Sequence, residues 1–133
     1  MGRIYKGMTL ENGDRTMEVV AFVDTGCDQT IISQRAARFL NITVGDEEII
    51  VVANGSQIRA GTGTVMIGSR VDTIHSSMKV NITDLPFQID PDENIDMIIG
   101  LDFLQMHNIT LKLHNKGERI RGICDYVDFP ALS

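Results

Sequence analysis

The sequence predicts an all-β domain, either a barrel or a sandwich. Short segments rich in β-branched residues recur along the chain with turn residues between them, and only two stretches have the composition of a helix. Asn12-Gly13 and Asn54-Gly55 each come after a predicted strand, and Asn-Gly is the strongest two-residue hairpin signal. The predicted strands are residues 4–10, 16–23, 48–53, 64–67, 77–82, 87–89, 97–99, 109–113 and 119–123.

Both helical stretches are short, so the strands dominate the predicted fold. Residues 33–40 combine good helix formers with Ser33 at the N-cap position. The second stretch opens at Asp102, which we expect to be its N-cap, and continues through residues 103–107.

The composition is that of one ordinary globular domain. The chain has 133 residues, of which 43% are hydrophobic and 23% are charged. We expect a single domain over residues 1–133, with its core over residues 8–123 and a loose, aperiodic tail over residues 124–133. The net charge of −6 argues against nucleic acid as a partner, and no apolar run approaches the roughly 20 residues that a membrane helix needs.

The predicted compartment is the cytoplasm. The opening MGRIYKG contains no signal-peptide apolar region, and the two cysteines are too few for a disulfide framework. One observation points the other way, because four segments match the N-glycosylation sequon, beginning at Asn41, Asn54, Asn81 and Asn108.

Three patterns that could bind a metal or a cofactor are incomplete. Gly61-Thr62-Gly63 begins like a dinucleotide loop, but Met66 stands where the third glycine belongs. The acidic run at residues 90–96 lacks the glycine and the glutamate of a calcium loop, and the histidines lack zinc-ligand spacing. We therefore expect no metal site and no cofactor.

Asp24 lies between two apolar runs, in the stretch VVAFVDTGCDQTIIS, where a charge is costly unless it is used or compensated. A β-branched strand leads to this carboxylate, Gly26 permits a tight turn, and Thr25 adds a hydroxyl. The arrangement predicts a carboxylate held rigidly at a strand end. From this stretch alone, the alternative is a turn whose aspartate caps its own backbone.

Two further segments favour a catalytic interpretation. Residues 96–102 again place an apolar strand before a glycine and a carboxylate, and Ile98-Ile99-Gly100 suits close packing against the Asp24 turn. Residues 57–65 carry glycines between strands, which predicts a mobile hairpin flap. A carboxylate turn, a flap and an apolar strand closed by glycine form a constellation that a chance Asp-Thr-Gly triplet does not provide.

On these residues the chain resembles the retropepsin-like aspartic proteases, and most of all the DNA-damage-inducible protein 1 family. The matches are AFVDTG at residues 21–26, GTGTVMIG at residues 61–68 and IIGLDFL at residues 98–104. The resemblance implies a closed barrel with a flap hairpin at residues 58–64 and one short C-terminal helix. It also implies a C2 homodimer in which each chain supplies the catalytic Asp24, Thr25 and Gly26.

The resemblance further implies an extended polypeptide substrate. Asp28 is acidic as in retroviral enzymes, where the eukaryotic family usually has an amide, and Cys27 replaces the usual Ala or Ser, which predicts sensitivity to oxidation. The family implies the ubiquitin–proteasome pathway and substrates that can be ubiquitinated, although these residues carry no ubiquitin-binding signal. The expected substrate-binding residues are Asp28, Ile58, Gly61, Thr62, Gly63 and Ile99.

The chemistry of this class needs two carboxylates that share one proton, whereas the chain has a single Asp-Thr-Gly. A symmetric homodimer is the economical solution. The predicted function is therefore that of a homodimeric aspartic endopeptidase. Two alternatives stay open: a dimerising peptide-binding module of the same fold with little or no proteolytic activity, and a retroelement-derived protease.

Overall fold

The predicted β-barrel is confirmed: six strands close into a ring, and a seventh pairs at its side. The computed structural model describes residues 5–51, 55–69, 75–84, 94–107, 110–111 and 127–128. The strands are β1 (Tyr5–Asn12), β2 (Arg15–Val23), β3 (Ile31–Ile32), β4 (Glu48–Val51), β5 (Gln57–Gly68), β6 (His75–Ile82), β7 (Ile95–Ile99), β8 (Thr110–Leu111) and β9 (Val127–Asp128). The sheet order is β1-β2-β7-β3-β6-β5-β4, and the pairing of β1 with β5 closes the ring.

The hairpin of β1 and β2 forms where the first Asn-Gly predicts it. Asn12 pairs with Arg15, so the turn consists of Gly13 and Asp14, one residue later than the Asn-Gly pair itself. Gly13 has a φ of +63°, a conformation that glycine adopts at little steric cost.

The second Asn-Gly lies in the connection between β4 and β5. These strands pair antiparallel from Glu48 opposite Ala60 to Val51 opposite Gln57, and residues 52–56 join them. From Gly61 onward β5 pairs with β6 instead. We call the paired residues 48–51 and 57–60 the hairpin arm, because β5 pairs with β4 there and not with β6.

The flap predicted at residues 58–64 is wrong in position. That segment is continuous strand, because β5 runs without a break from Gln57 to Gly68. Its glycines serve close packing rather than a turn, as glycines inside strands often do. The hairpin connection lies earlier, at residues 52–56.

Both predicted helices are present, as α1 (Gln34–Phe39) and α2 (Leu101–Met106). Ser33 caps α1 as predicted, with its hydroxyl oxygen 3.1 Å from the Ala36 amide nitrogen. The predicted N-cap role of Asp102 is wrong, because α2 begins at Leu101 and Gly100 occupies the N-cap. The Asp102 carboxylate is instead held in the first turn by other donors, described below.

Two apolar clusters fill the fold. The larger one occupies the barrel interior and includes Leu10, Ala21, Ile67, Met97 and Phe103, all fully buried. The smaller one, which we call the arm cluster, joins the hairpin arm to the strand ends near Asp24. The arm cluster consists of Cys27, Ile31, Ile50, Ala60 and Ile98, with Phe22 and Ile58 packed against it.

Part of the sequence prediction falls outside the described residues, namely the strands at 87–89 and 119–123. Val127 and Asp128, within the predicted loose tail, form β9, which pairs antiparallel with β8. A single domain over residues 1–133 stays a prediction. Neither helix in the described ranges is long and apolar enough to cross a membrane.

Candidate active site

Asp24 lies at the end of β2, where main-chain bonds hold it in place. β2 runs parallel to β7 with Val23 beside Ile99, and the Asp24 amide nitrogen lies 3.0 Å from the Ile99 carbonyl oxygen. The Gly26 N–H donates to the Asp24 carboxylate Oδ1 at 2.9 Å, and the Cys27 N–H donates to the Asp24 carbonyl at 3.2 Å. The turn therefore fixes the direction of the carboxylate through a bond to its own backbone, the interaction that the alternative interpretation predicts, while the strand end holds its main chain.

The surface beside this carboxylate is open to solvent. Asp24 is half-buried, whereas Thr25 and Gly26 are exposed. Asp28, the acid expected to hold substrate backbone, is also exposed. The acid and its Thr-Gly neighbours therefore share one accessible face at the end of the barrel.

Gly100 lets the second predicted segment pack against the Asp24 loop (residues 24–30). The Leu101 N–H donates to the Cys27 carbonyl at 2.9 Å, and the Asp102 N–H donates to the Asp28 carbonyl at 3.1 Å. A Cβ atom on Gly100 would lie only 2.5 Å from the Gln29 carbonyl oxygen. The expected close approach of Ile98-Ile99-Gly100 to the turn is confirmed.

Thr30 is a positioning residue that the sequence analysis missed. Its hydroxyl donates to the Asp102 Oδ1 at 2.6 Å and accepts from the Gly100 N–H at 3.2 Å. Asp102 Oδ1 also accepts from the Phe103 N–H at 2.7 Å. Thr30 is fully buried, so these bonds form in a site without competing water. A buried threonine at a strand start was the available signal, but its partner is 72 residues away.

Cys27 is a packing residue of the loop and no nucleophile. Its Sγ donates to the Gln29 carbonyl at 3.2 Å, and burial, followed by the nearby carboxylates, raises the pKa of the thiol to about 11. The thiolate is the reactive form of cysteine, so such a pKa opposes oxidation near neutral pH. The predicted sensitivity to oxidation is therefore disfavoured. Within the described ranges, no group of three His, Cys, Asp or Glu side chains could hold a metal ion.

The arm cluster forms an apolar wall next to the Asp24 loop. Ile58, an expected substrate-binding residue, packs on this cluster from the arm. Ile99 does not, because its side chain lies in the barrel core with no exposed area. Ile98 points to the opposite face, as neighbouring strand residues do, and is buried in the arm cluster, so neither isoleucine has an exposed side chain. The sequence could not separate two adjacent isoleucines.

Gly61, Thr62 and Gly63, also expected to bind substrate, lie in the middle of β5 rather than at a flap tip. The Thr62 carbonyl accepts from the Gly45 N–H at 2.7 Å. A Cβ atom at Gly61 would lie 2.5 Å from the Val44 side chain. These residues thus pack against residues 42–45, which argues against direct contact with a ligand at Asp24.

The family model of the aspartyl proteases matches residues 9–112. The chain belongs to the aspartyl protease family. Asp24, the Asp24 loop, the hairpin arm and the strand that ends at Gly100 all fall inside the matched range, so the family match covers the whole candidate site.

This aspartyl protease domain is of the retropepsin-like, DDI1 type. It is 34% identical over 95 residues to Protein DDI1 homolog 2 of Danio rerio, covering 71% of this chain and 22% of the relative. It is 32% identical over 106 residues to DNA damage-inducible protein 1 of Kluyveromyces lactis, covering 79% of this chain and 24% of the relative. The chain thus spans less than a quarter of these relatives.

Two solved structures share the fold of this aspartyl protease domain. The retroviral protease-like domain of Ddi1 from Leishmania major has a TM-score of 0.54 at 22% identity, covering 85% of this chain and 79% of that one. The EIAV protease, complexed with the inhibitor HBY-793, has a TM-score of 0.53 at 19% identity, covering 84% and 93%. Both likenesses support the retropepsin-like barrel.

Proposed function

We propose that this domain is a homodimeric aspartic endopeptidase that hydrolyses peptide bonds in extended polypeptides. The observation that carries the proposal is the fixed Asp24 carboxylate: a strand end and its own turn hold it beside an open face. A reaction that needs a carboxylate in one place uses an acid that is held rigidly beside an open face, as Asp24 is.

The chemistry requires a second acid close to the Asp24 carboxylate. Two carboxylates about 3 Å apart cannot both ionise, so they share one proton. Asp102, the carboxylate in the first turn of α2, is committed to Thr30 and to the Phe103 amide, and Asp28 in the loop is the residue expected to hold substrate backbone. A C2 dimer would place the exposed Thr25 and Gly26 of two copies together and bring one Asp24 against its twin.

In that dimer the two Asp24 carboxylates divide the acid and base roles. The ionised one takes a proton from a bound water as the oxygen of that water attacks the peptide carbonyl carbon. The protonated one donates its proton to the carbonyl oxygen, which gives a tetrahedral diol. The C–N bond then breaks as the leaving nitrogen takes the proton that the first carboxylate removed from water, and a hydroxyl of the diol returns a proton to the second carboxylate. The arm would cover the substrate and exclude bulk water.

The arm cluster favours apolar substrate side chains. Ile58 of the arm is a partly exposed side chain packed on this cluster beside the Asp24 loop, whereas Ile50 and Ile98 are buried in it. Asp28 is exposed on the same loop and would accept from substrate main-chain N–H groups. Unfolded chains present such extended segments. The proposed substrates include ubiquitinated proteins, and the proposed setting is the ubiquitin–proteasome pathway in the cytoplasm.

Cleavage of a diverse peptide library between about pH 4 and 7, read by mass spectrometry, tests the proposal. Asp24→Asn keeps the side-chain shape but cannot form the ionised dyad, so all wild-type cuts should disappear. Asp28→Asn is the matched control, since it neutralises a neighbouring acid and should weaken binding without abolishing turnover. Specific peptide binding without cuts would favour the peptide-binding module instead.

A further inference from the structure

The hairpin arm has a polar anchor at its root. Glu48 lies opposite Ala60, the last arm residue of β5 before that strand enters the barrel. Its Oε2 accepts from the Lys79 ammonium at 2.6 Å, and its Oε1 accepts from the Asn81 side-chain amide at 3.2 Å. Both donors belong to β6, so the Glu48 carboxylate reaches across β5 and fastens β4 to the barrel.

Few other contacts hold this side of the arm. Among the described strands β4 pairs with β5 alone and is the last strand of the sheet order. Ile50 is its buried side chain, whereas Ile49 and Val51 point away and are exposed. The angle between the arm and the barrel therefore depends on the arm cluster, on Glu48, and on the bonds that join residues 45 and 46 to Thr62 just before β4.

Asn81 connects the same anchor to the Asp24 loop. It is 1% exposed, and a buried amide needs its hydrogen-bond acceptor. Its main-chain N–H donates to the Thr30 carbonyl at 3.0 Å, while the Thr30 hydroxyl bonds Asp102 and Gly100. A continuous chain of hydrogen bonds thus runs from Glu48 through Asn81 to the residue that braces the candidate catalytic loop.

The ion pair of Glu48 with Lys79 strengthens this anchor but is too weak to hold the arm by itself. Lys79 is 60% exposed and Glu48 is 40% exposed, so solvent screens their attraction. Hydrogen bonds from Lys79 and then Asn81 lower the pKa of Glu48, which keeps the carboxylate charged near neutral pH. The buried Asn81 amide gives the anchor its specific geometry, whereas the Lys79 charge adds an attraction that salt weakens.

From these contacts we propose that Glu48 is a positioning residue, which sets the placement of the hairpin arm against the Asp24 loop through Asn81 and Lys79. The proposal deepens the proposed protease function and rests on it for its effect on turnover. A loosened arm would hold Ile50 and Ile58 less often against Cys27 and Ile98, and so would cover a bound substrate less often. Substrate binding would then weaken, while the chemistry at Asp24 would stay the same.

Hydrogen exchange measures the arm without any substrate. Glu48→Ala should speed exchange of the arm amides at residues 49–51 and 57–60 by about fivefold, the effect of one lost hydrogen bond on a local opening. Amides of β2 should not change. Glu48→Gln, which keeps an acceptor for Asn81, should have a smaller effect. Glu11→Gln is the matched control, because it removes the charge of another partly exposed glutamate, which pairs with His75 and lies outside the arm.

Cleavage kinetics supply the second readout. KM should rise about three- to tenfold in Glu48→Ala with kcat within about twofold. Added salt should raise KM in the wild type and not in Glu48→Gln or Lys79→Met. Arm exchange in Glu48→Ala equal to that of wild type and Glu11→Gln, or an unchanged KM, would overturn the proposal. Failure of the protease function is distinct, because it appears as wild-type protein without Asp24-dependent cleavage.

Discussion

The hydroxyl of Thr30 lies 2.6 Å from Oδ1 of Asp102 and joins the two chain segments that form the candidate site. One is the loop that carries Asp24, and the other is the start of α2. The same hydroxyl accepts from the Gly100 N–H. A single buried side chain therefore holds both the Asp102 carboxylate and Gly100, which lies against the Asp24 loop. The rigidity of the Asp24 turn therefore depends on a residue with no role in the proposed chemistry.

Replacing Thr30 tests that dependence. Thr30→Val keeps the volume but removes the donor to Asp102 and the acceptor for Gly100, and we expect a loss of about 2–3 kcal/mol in the free energy of unfolding. Thr30→Ser keeps the hydroxyl and should lose less. Urea denaturation measures both variants. Equal losses in the two would mean that packing of the methyl group, and not the hydroxyl, matters here.

Gly100→Ala should be among the most destabilising single methyl additions in the described residues. Its Cβ would lie 2.5 Å from the Gln29 carbonyl oxygen and 2.7 Å from the Cys27 carbonyl oxygen, and backbone atoms cannot swing away. The expected loss is about 2–4 kcal/mol in the free energy of unfolding. Gly7→Ala is the matched control, since nothing lies within 4 Å of its added Cβ. A Gly100→Ala protein as stable as Gly7→Ala would contradict the close approach.

Cys27 should react slowly with thiol reagents in the folded protein. Its pKa of about 11 lies two units above the ordinary value of 9.0, so the thiolate fraction near pH 8 falls about 100-fold. Iodoacetamide labelling in a Cys124→Ser background measures this rate, with the urea-unfolded protein as the reference. Labelling as fast in the folded as in the unfolded state would restore the expectation of an oxidation-sensitive site.

His107 should make stability depend on pH. Burial lowers its pKa below the ordinary 6.5, so the unfolded chain binds a proton more readily than the folded one. Its contribution is therefore complete above about pH 6.5 and is lost as the pH falls through the lower folded pKa. The His107 Nε2 lies 2.9 Å from the Ser76 hydroxyl, and His107→Gln, which keeps a polar group there, should show a smaller drop in Tm from pH 7.5 to about 5.5. Identical drops would exclude His107 as the cause.

Local signals predicted the parts of this fold that local contacts build. The β1–β2 hairpin follows from a strand, a two-residue turn and a second strand, and Ser33 caps α1 within three residues. Asp24 was recognisable because its apolar flanks and its glycine are neighbours in the chain. Such features need no knowledge of the rest of the molecule.

Long-range contacts decided what the sequence could not. Barrel closure rests on pairs such as Leu10 with Ile67, and no local pattern encodes them. Glycines in β5 indicated a flap, whereas they make room for residues 42–45. The choice between Ile98 and Ile99 depends on strand register, where a shift of one residue exchanges the two faces. The sequence predicts a helix cap at Asp102, because its actual partner, Thr30, is remote in sequence.

A mixed dimer tests most directly whether two copies of Asp24 act as one catalytic pair. Wild-type and Asp24→Asn chains with different affinity tags are co-expressed, the dimer that carries both tags is isolated, and its kcat is compared with that of the wild-type dimer. The shared-proton account predicts a loss of at least about 100-fold, because removing one carboxylate removes the acid–base pair. A mixed dimer with half the wild-type kcat would contradict it, since each chain would then work alone.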